Sequence, residues 1–268
     1  MARIDDAAAV EQNYRRPENL NTRIDLHRKY GQYPRGTDAW FPLYHFFPGC
    51  RVLELGCGTG AMWACHIAAL PEGVRLTLAD LSPGMVDSAR ESYAHLPQVE
   101  TRVMDIQRLD CPPESYDIVI ANAMLYHVPD VPLAIAQVHR ALRPGGVFYA
   151  STFGQDGMPD FFARQLAAYR SGLRAFAGAG QAFHMGNGRA LLKAVFADVV
   201  QYTFRDALEV TDTADIVAYL LSSTSFAGLD AGEAPALQAF FDGLRDARGI
   251  VRIPRHYGTF VAQKAEAL

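Results

Sequence analysis

The sequence has few cysteines, and their arrangement argues against metal and disulfide sites. They form no CxxC pair, and no group of cysteines and histidines has the spacing of a zinc site; the four are Cys50, Cys57, Cys65 and Cys111. Free thiols in a reducing compartment are the simplest interpretation. We therefore predict no metal site and a cytoplasmic protein.

Long apolar runs and an excess of positive charge are also missing. No apolar stretch reaches the length of about 20 residues that a membrane-spanning helix needs, and the N-terminal residues lack the pattern of a signal peptide. The formal net charge is −4. Because nucleic acids are bound by strongly basic surfaces, we expect neither a nucleic acid nor a membrane as a partner. The sequence leaves the oligomeric state open.

What the sequence does contain is an alternation of strand and helix patterns. Strands are predicted at 52–55, 74–80, 101–104, 116–121 and 147–151, and helices at 60–69, from Pro83 onward and at 133–142. Strands that alternate with helices form βαβ units. We therefore predict an α/β fold with a mostly parallel sheet and helices on both of its faces.

The rhythm changes outside this stretch. Helices are predicted at 19–30, 160–175, 188–196, 212–223 and 233–247, and strands at 199–204 and 257–262. We expect residues 1–47 to form a helical cap on a domain at 48–268, with helical insertions at about 152–190 and 207–250 that cover the site. The cluster of Arg252, Arg255 and His256 is interpreted as a solvated turn in preference to an anion site.

The most informative stretch is 51–60, Arg-Val-Leu-Glu-Leu-Gly-Cys-Gly-Thr-Gly. Its glycines, Gly56, Gly58 and Gly60, follow a strand and open a helix, so the backbone can turn tightly and approach a ligand. The spacing is G-x-G-x-G, whereas dinucleotide sites use G-x-G-x-x-G. Glu54 lies inside the strand, where a carboxylate would repel a pyrophosphate. A ligand with a cationic amine and no phosphate is therefore favoured over NAD.

An acidic residue also ends the second predicted strand. Asp80 follows Gly60 by 20 residues, at the place where a carboxylate accepts hydrogen bonds from ribose hydroxyls. This feature is shared by dinucleotide and other nucleoside sites, so it does not separate the ligand classes by itself.

Residues 52–60 resemble motif I of the class I S-adenosylmethionine (SAM)-dependent methyltransferases, and further segments match in order. Residues 79–85 are similar to the ribose-binding segment of that family, 104–106 to its adenine segment, 117–121 to its motif IV and 142–146 to the turn before its fifth strand. The resemblance implies a Rossmann-like, seven-stranded sheet whose last strand is antiparallel.

The resemblance also implies roles for individual residues. Glu54, Gly56, Gly58 and Gly60 hold the methionine part of SAM, Asp80 binds the ribose, Leu81, Met85 and Ile106 contact the adenine, Asp105 accepts from its amino group, and Asn122 lies near the methionine part and the transferring methyl. Alternatives stay open for four of them: Leu81, Met85 and Ile106 as core residues, and Asp105 as a turn cap.

The implied function is methyl transfer from SAM to a small-molecule acceptor with an O, N or C nucleophile, leaving S-adenosylhomocysteine. The leaving group is already activated, so a base is needed only for a protonated nucleophile. His127, beyond the fourth strand, is the first candidate base and His184 the second; Tyr14 is a candidate for closing over SAM and the acceptor. Packing, a plain loop and a solvated tail are their respective alternatives.

Two other functions remain open at this point. The first is a SAM-binding module without turnover. The second is a methyltransferase acting on a macromolecule, which is disfavoured for planar nitrogens because the segment 122–125, Asn-Ala-Met-Leu, lacks the Asn/Asp-Pro-Pro-Tyr/Phe form.

Overall fold

The fold is built on a seven-stranded sheet, seen in a computed structural model that describes residues 17–31, 41–175, 182–222 and 226–267. Its strands are β1 (Arg51–Leu55), β2 (Arg75–Asp80), β3 (Val99–Val103), β4 (Tyr116–Asn122), β5 (Leu142–Phe153), β6 (Asp198–Val210) and β7 (Val251–Gln263). Their order across the sheet is β3-β2-β1-β4-β5-β7-β6. From β3 to β5 all neighbours are parallel, and β7 is antiparallel to both β5 and β6. The predicted strand directions are confirmed.

Helices cover both faces of the sheet and one of its edges. They are α1 (Pro17–Tyr30), α2 (Pro83–Tyr93), α3 (Val131–Ala141), α4 (Met158–Tyr169), α5 (Gly188–Lys193), α6 (Thr213–Leu221) and α7 (Ala234–Asp242). Short 3₁₀ turns lie at Phe41–Leu43, Ala61–Cys65, Ile67–Ala69, Ile106–Arg108, Leu125–His127 and Ala231–Glu233. A separate two-stranded pair joins Arg174–Ala175 to Phe226–Ala227.

The central strands are apolar on both faces because each face has its own core. In β1, Val52 belongs to the core that includes α2 residues, and Leu53 belongs to the core that includes α3 residues. The buried stripe of α3 repeats at helical spacing: Val131, Ala134, Ile135, Val138 and Ala141. Asp130 caps this helix by accepting from the Leu133 N–H at 2.9 Å. The sheet is thereby fixed from both sides.

The segment after the glycine loop departs from the prediction. In place of a helix at 60–69, the chain makes two 3₁₀ turns, and His66 between them has φ −117°. The hydrogen bonds run three residues apart, from the Trp63 N–H to the Gly60 carbonyl and from the His66 N–H to the Trp63 carbonyl. The helix prediction is therefore wrong here, because the φ angle of His66 interrupts a regular α-helical ladder.

The last two strands are much longer than predicted. Residues 205–210 of β6 pair with residues 251–256 of β7, which makes a two-stranded ribbon that extends past the edge of the sheet. Residues 207–210, expected in the second insertion, are therefore strand, and the helices of that region lie within 211–250. The predicted strands are too short because the apolar residues of the ribbon, such as Leu208 and Ile253, pack into a second core and not into the core of the sheet.

That second core joins the ribbon to α1, α4, α6 and α7. Its members include Leu26, Phe162, Leu208, Ile216, Phe241 and Ile253. Helix α1 crosses the carboxyl edge of the sheet. Its Leu20 lies against the glycine loop, so close that a Cβ added to Gly58 would be 2.6 Å from the Leu20 side chain. Just after the helix, Gly31 forms a β-bridge with Leu208 of β6. These elements form a cap over the edge where the parallel strands end.

A buried ion pair joins the two strands of the ribbon beneath α1. The side chains of Arg255 and Asp206 are 6% and 11% exposed, and the Arg255 Nε donates to the Asp206 Oδ1 at 2.7 Å. The interpretation of Arg255 as part of a solvated turn is therefore wrong, because it lies inside a strand under α1. Burial and the adjacent guanidinium lower the pKa of His27 to about 4, so this imidazole is neutral.

In the four described ranges, no helix combines the length and hydropathy required to cross a bilayer.

Replacing Asp206 by alanine removes the counter-charge of a buried guanidinium. Breaking one side of such a pair costs roughly 3–5 kcal/mol, so we expect the free energy of unfolding in urea to fall by about that amount. The control is Asp87→Ala, whose partner Arg90 is 53% exposed and whose pair is worth at most about 1 kcal/mol. Equal losses in both variants would contradict a stabilising role for the buried pair.

Candidate active site

The glycine loop contains three positions that no residue with a side chain could occupy without strain. Gly56, Gly58 and Gly60 all have positive φ, at +70°, +56° and +74°. A Cβ on Gly56 would lie 2.8 Å from Met124, and one on Gly58 would meet Leu20. Glycine is therefore required both for backbone conformation and for space. The loop brings bare backbone to the carboxyl edge of β1, as the sequence predicts.

Glu54 is a carboxylate buried directly behind this loop. The residue is 3% exposed, and its Oε2 accepts from the Trp63 indole N–H at 2.7 Å. Burial raises the pKa of Glu54 to about 7, and the nearby Asp80 carboxylate adds to the shift. A buried carboxylate that is costly to ionise alone suits a cationic partner.

Asn122 ends β4 next to Glu54, and its amide is held from both sides. Its Oδ1 accepts from the Tyr44 hydroxyl at 2.9 Å, and its Nδ2 lies 3.2 Å from the Met62 sulfur. Tyr44 is 6% exposed, and its ring meets that of Tyr149 edge to face with 4.9 Å between centroids. The Tyr44 hydroxyl thereby fixes the orientation of the amide.

Sequence reasoning missed Tyr44 and Trp63. The aromatic segment before β1 is visible in the sequence, but nothing in it indicates which ring turns toward Asn122. Trp63 lies in the stretch predicted as a regular helix, and its contact with Glu54 depends on the 3₁₀ winding. Both residues reach the site through tertiary packing, for which a single sequence carries no signal.

Asp80 ends β2 and ties two loops together. Its Oδ2 accepts from the Gly58 N–H and its Oδ1 from the Ser82 N–H, both at 2.9 Å. Burial raises the pKa of Asp80, against these backbone hydrogen bonds. Each carboxylate oxygen has a second lone pair, so Asp80 keeps acceptor capacity for a ligand hydroxyl while it holds the glycine loop.

The predicted adenine contacts separate into exposed and buried residues. Leu81 is 43% exposed and has surface available to a planar ring, whereas Met85 is fully buried and Ile106 is 5% exposed. An adenine contact by Met85 is therefore not supported, and burial favours its alternative as a core residue, because its side chain offers no open surface. Asp105 caps a 3₁₀ turn through the Gln107 N–H at 2.8 Å. The other oxygen, Oδ2, remains available for a role toward adenine.

His127 lies in the loop that follows Asn122. It ends the 3₁₀ turn Leu125–His127 and is half-buried, with its ring centroid 4.4 Å from that of Tyr126. Tyr126 in turn contacts Phe153 at the end of β5. This loop is therefore on the same edge as Glu54 and Asn122, where ligands of open α/β sheets bind.

Two further residues are predicted for the catalytic side of the site, His184 as a second base and Tyr14 as a residue that closes over SAM and the acceptor. His184 stabilises its own turn, because its Nδ1 accepts from the Gly186 N–H at 3.0 Å and its backbone N–H donates to Asn187. Tyr14 lies outside the described residues. Among the residues that are described, no group of three or more His, Cys, Asp or Glu side chains is placed to hold a metal ion.

Taken together, these side chains can hold a nucleoside bearing a cationic amine. The loop offers backbone groups and open space, Glu54 offers a desolvated negative charge, and Asp80 offers oxygen acceptors one strand away. The described residues of the site include three carboxylates, Glu54, Asp80 and Asp105, and the histidine His127. This arrangement suits a ligand that brings its own electrophilic centre.

Comparison with known proteins agrees with this geometry. Residues 52–146 match the family described as "Methyltransferase domain". The chain is 34% identical over 116 residues to malonyl-[acyl-carrier protein] O-methyltransferase of Serratia marcescens and 40% identical over 111 residues to ubiquinone biosynthesis O-methyltransferase of Xanthomonas campestris. The matches cover 42% and 40% of this chain and 42% and 45% of those enzymes. They span less than half the length of either relative.

A solved structure extends the likeness to the fold of nearly the whole chain. Phosphoethanolamine N-methyltransferase 2 of Haemonchus contortus, solved with phosphomonomethylethanolamine and S-adenosylhomocysteine, superposes with a TM-score of 0.60 at 17% identity, covering 97% of this chain and 61% of that chain. The matched domain at 52–146, the strand order and this fold together support a class I SAM-dependent methyltransferase.

Proposed function

We propose that this chain transfers the methyl group of SAM to a small-molecule acceptor by in-line displacement, leaving S-adenosylhomocysteine. The observation that carries the proposal is the buried Glu54 carboxylate behind the glycine loop. Its charge is costly without a cation, and SAM brings an ammonium group and no phosphate. NAD would bring a pyrophosphate against the same carboxylate.

The roles of the remaining residues follow from their acceptors and exposure. Asp80 receives the ribose hydroxyls on its second lone pairs, and Leu81 offers its exposed side chain to the adenine. Asp105 accepts a hydrogen bond from the adenine amino group. Asn122, fixed by Tyr44, orients the methionine part beside Glu54.

When bound, SAM supplies a methyl group on a sulfonium, which becomes a neutral thioether as the acceptor atom bonds to the carbon. The chain contributes alignment and the exclusion of water. Helix α1 lies over the carboxyl edge of the sheet, where it shields the site. A proton released by the acceptor is taken by His127, whose loop lies beside Asn122. His184 is the second candidate base, and Tyr14 stays a candidate for closing over SAM and the acceptor.

The cap favours a small acceptor over a macromolecule. Helices α1, α4, α6 and α7 and the ribbon share one apolar core above the edge of the sheet, so an acceptor has to fit between this cap and the strand ends. Two matched relatives are named O-methyltransferases, which supports an oxygen nucleophile among the O, N and C nucleophiles that the chemistry allows.

The proposal is tested by titration calorimetry of the whole chain with SAM, S-adenosylhomocysteine and NAD. We expect the first two to bind and NAD to give no heat, and we expect S-adenosylhomocysteine to form from SAM when a panel of small phenols, amines and carboxylates is added. Binding without turnover on any panel would favour a SAM-binding module. Binding of NAD alone would exclude the assignment of the glycine loop.

Replacing Glu54 by glutamine should separate stability from binding. With a folded pKa of about 7 above an unfolded value of about 4.3, Glu54 makes the ligand-free protein lose stability as pH rises from about 4 to 7. We expect Glu54→Gln to be more stable than the parent at pH 8, by up to about 4 kcal/mol, with a smaller difference at pH 5. Thermal unfolding at both pH values measures this.

The same variant should bind SAM about tenfold to a hundredfold less tightly, the scale of a lost hydrogen bond to a charged group. In the parent, SAM affinity should fall as pH drops below 7, because Glu54 becomes protonated; in Glu54→Gln this dependence should disappear. Glu100→Gln, at an exposed position on β3, is the control. A parent affinity that stays constant between pH 5 and 8 would argue against an ammonium contact.

Tyr44→Phe should weaken SAM binding without unfolding the protein. The ring packing is retained, but the Asn122 Oδ1 loses its donor, and one such hydrogen bond is worth about 0.5–1.5 kcal/mol. We expect SAM affinity, measured by calorimetry, to fall by about two- to tenfold. Tyr116→Phe makes the same change in another buried tyrosine at the opposite end of β4. If the two variants bind SAM equally tightly, the Tyr44 hydroxyl has no role in SAM binding and the residue serves only in packing.

A further inference from the structure

Four aromatic side chains form a row along one face of the sheet at its carboxyl edge. Tyr126 lies 4.4 Å from Phe153 between ring centroids. Phe153 and Tyr257 are partners in the register of β5 and β7, and Tyr257 stacks on Phe204 of β6 at 5.6 Å with 23° between the rings. All four residues are half-buried. We name these residues the aromatic row.

The aromatic row starts where the methyl group is to be transferred. Tyr126 is in the loop that follows Asn122, and Asn122 pairs with Ser151, two residues before Phe153 on the same face of β5. The Ser151 hydroxyl lies 2.8 Å from that of Thr259, its partner on β7. A polar line thus runs parallel to the aromatic row, one pleat further into the sheet.

Charges beside the aromatic row are already balanced. The guanidinium of Arg255 lies over the Tyr257 ring at 5.2 Å, but it is paired with Asp206. His27 of α1, which contacts that guanidinium, is neutral because burial and Arg255 lower its pKa to about 4. An anionic acceptor group placed here would gain little from Arg255, whereas a flat apolar surface would gain contacts with aromatic rings.

We propose that the acceptor is a flat, conjugated molecule, uncharged where it contacts the aromatic row, with its ring system against Tyr126, Phe153 and Tyr257. The inference rests on the proposed function, since it names the substrate class of the same site. Offset or edge-to-face contacts with these rings select a planar π-system over a saturated skeleton of equal size.

The test uses two probes with the same carbon skeleton and hydroxyl group, 2-naphthol and decahydro-2-naphthol. Each is titrated into the whole chain saturated with S-adenosylhomocysteine. We expect 2-naphthol to bind more tightly, and Phe153→Leu, which keeps an apolar side chain without a ring, to reduce that preference by about two- to tenfold, the size of one ring contact. Phe153→Tyr should retain the preference.

Two controls separate the inference from its premise. Phe47→Leu removes a 49% exposed ring outside the aromatic row and should leave the preference unchanged, and the affinity for S-adenosylhomocysteine should be the same in all variants. Failure of the parent to bind S-adenosylhomocysteine would refute the proposed function. If the parent binds S-adenosylhomocysteine but has equal affinity for the two probes, the substrate class alone is overturned. The same holds if Phe153→Leu leaves the preference for 2-naphthol intact.

Discussion

The site depends on one unfavourable feature, a carboxylate buried at the end of a central strand. The Glu54 carboxylate lies behind the glycine loop, where it accepts a hydrogen bond from the Trp63 indole N–H. Burial raises the pKa of Glu54 to about 7. Desolvation of this kind costs stability in the ligand-free protein. The surrounding structure retains it because β1 is fixed between β2 and β4 and between two apolar cores. A desolvated carboxylate with a shifted pKa is typical of functional sites, where a cationic ligand can supply the counter-charge.

Other parts of the site are arranged around that carboxylate. Asp80 holds the loop through the Gly58 N–H, Tyr44 holds Asn122, and α1 lies on the loop through Leu20. Each of these contacts joins a different strand end or cap element to the same few residues. The carboxyl edge of the sheet is therefore a single unit, in which the cofactor half and the cap meet at the glycine loop.

The sequence predicts the cofactor half well because its signals are local. A strand, three glycines and an acid at fixed spacing define Glu54, Gly56, Gly58 and Asp80 without reference to the rest of the chain. The signals fail where packing decides. The 3₁₀ winding around Trp63, the burial of Arg255 and the ribbon that carries Leu208 all depend on partners far away in sequence. Tyr44 belongs to the same group, since its contact with Asn122 spans 78 residues.

The same distinction explains why the acceptor is harder to read than the coenzyme. Its proposed contacts come from the ends of β5, β6 and β7 and from one loop, and only the strand register brings Phe153, Tyr257 and Phe204 side by side. The ribbon that extends β6 and β7 also carries the Arg255–Asp206 pair and the anchor for α1. The ribbon thus anchors α1 above the proposed acceptor site, pairs the charge of Arg255 beside it and aligns the rings of Phe204 and Tyr257. A change in the register of β7 would therefore alter all three at once, and through α1 it would also reach the glycine loop, where Leu20 lies against Gly58.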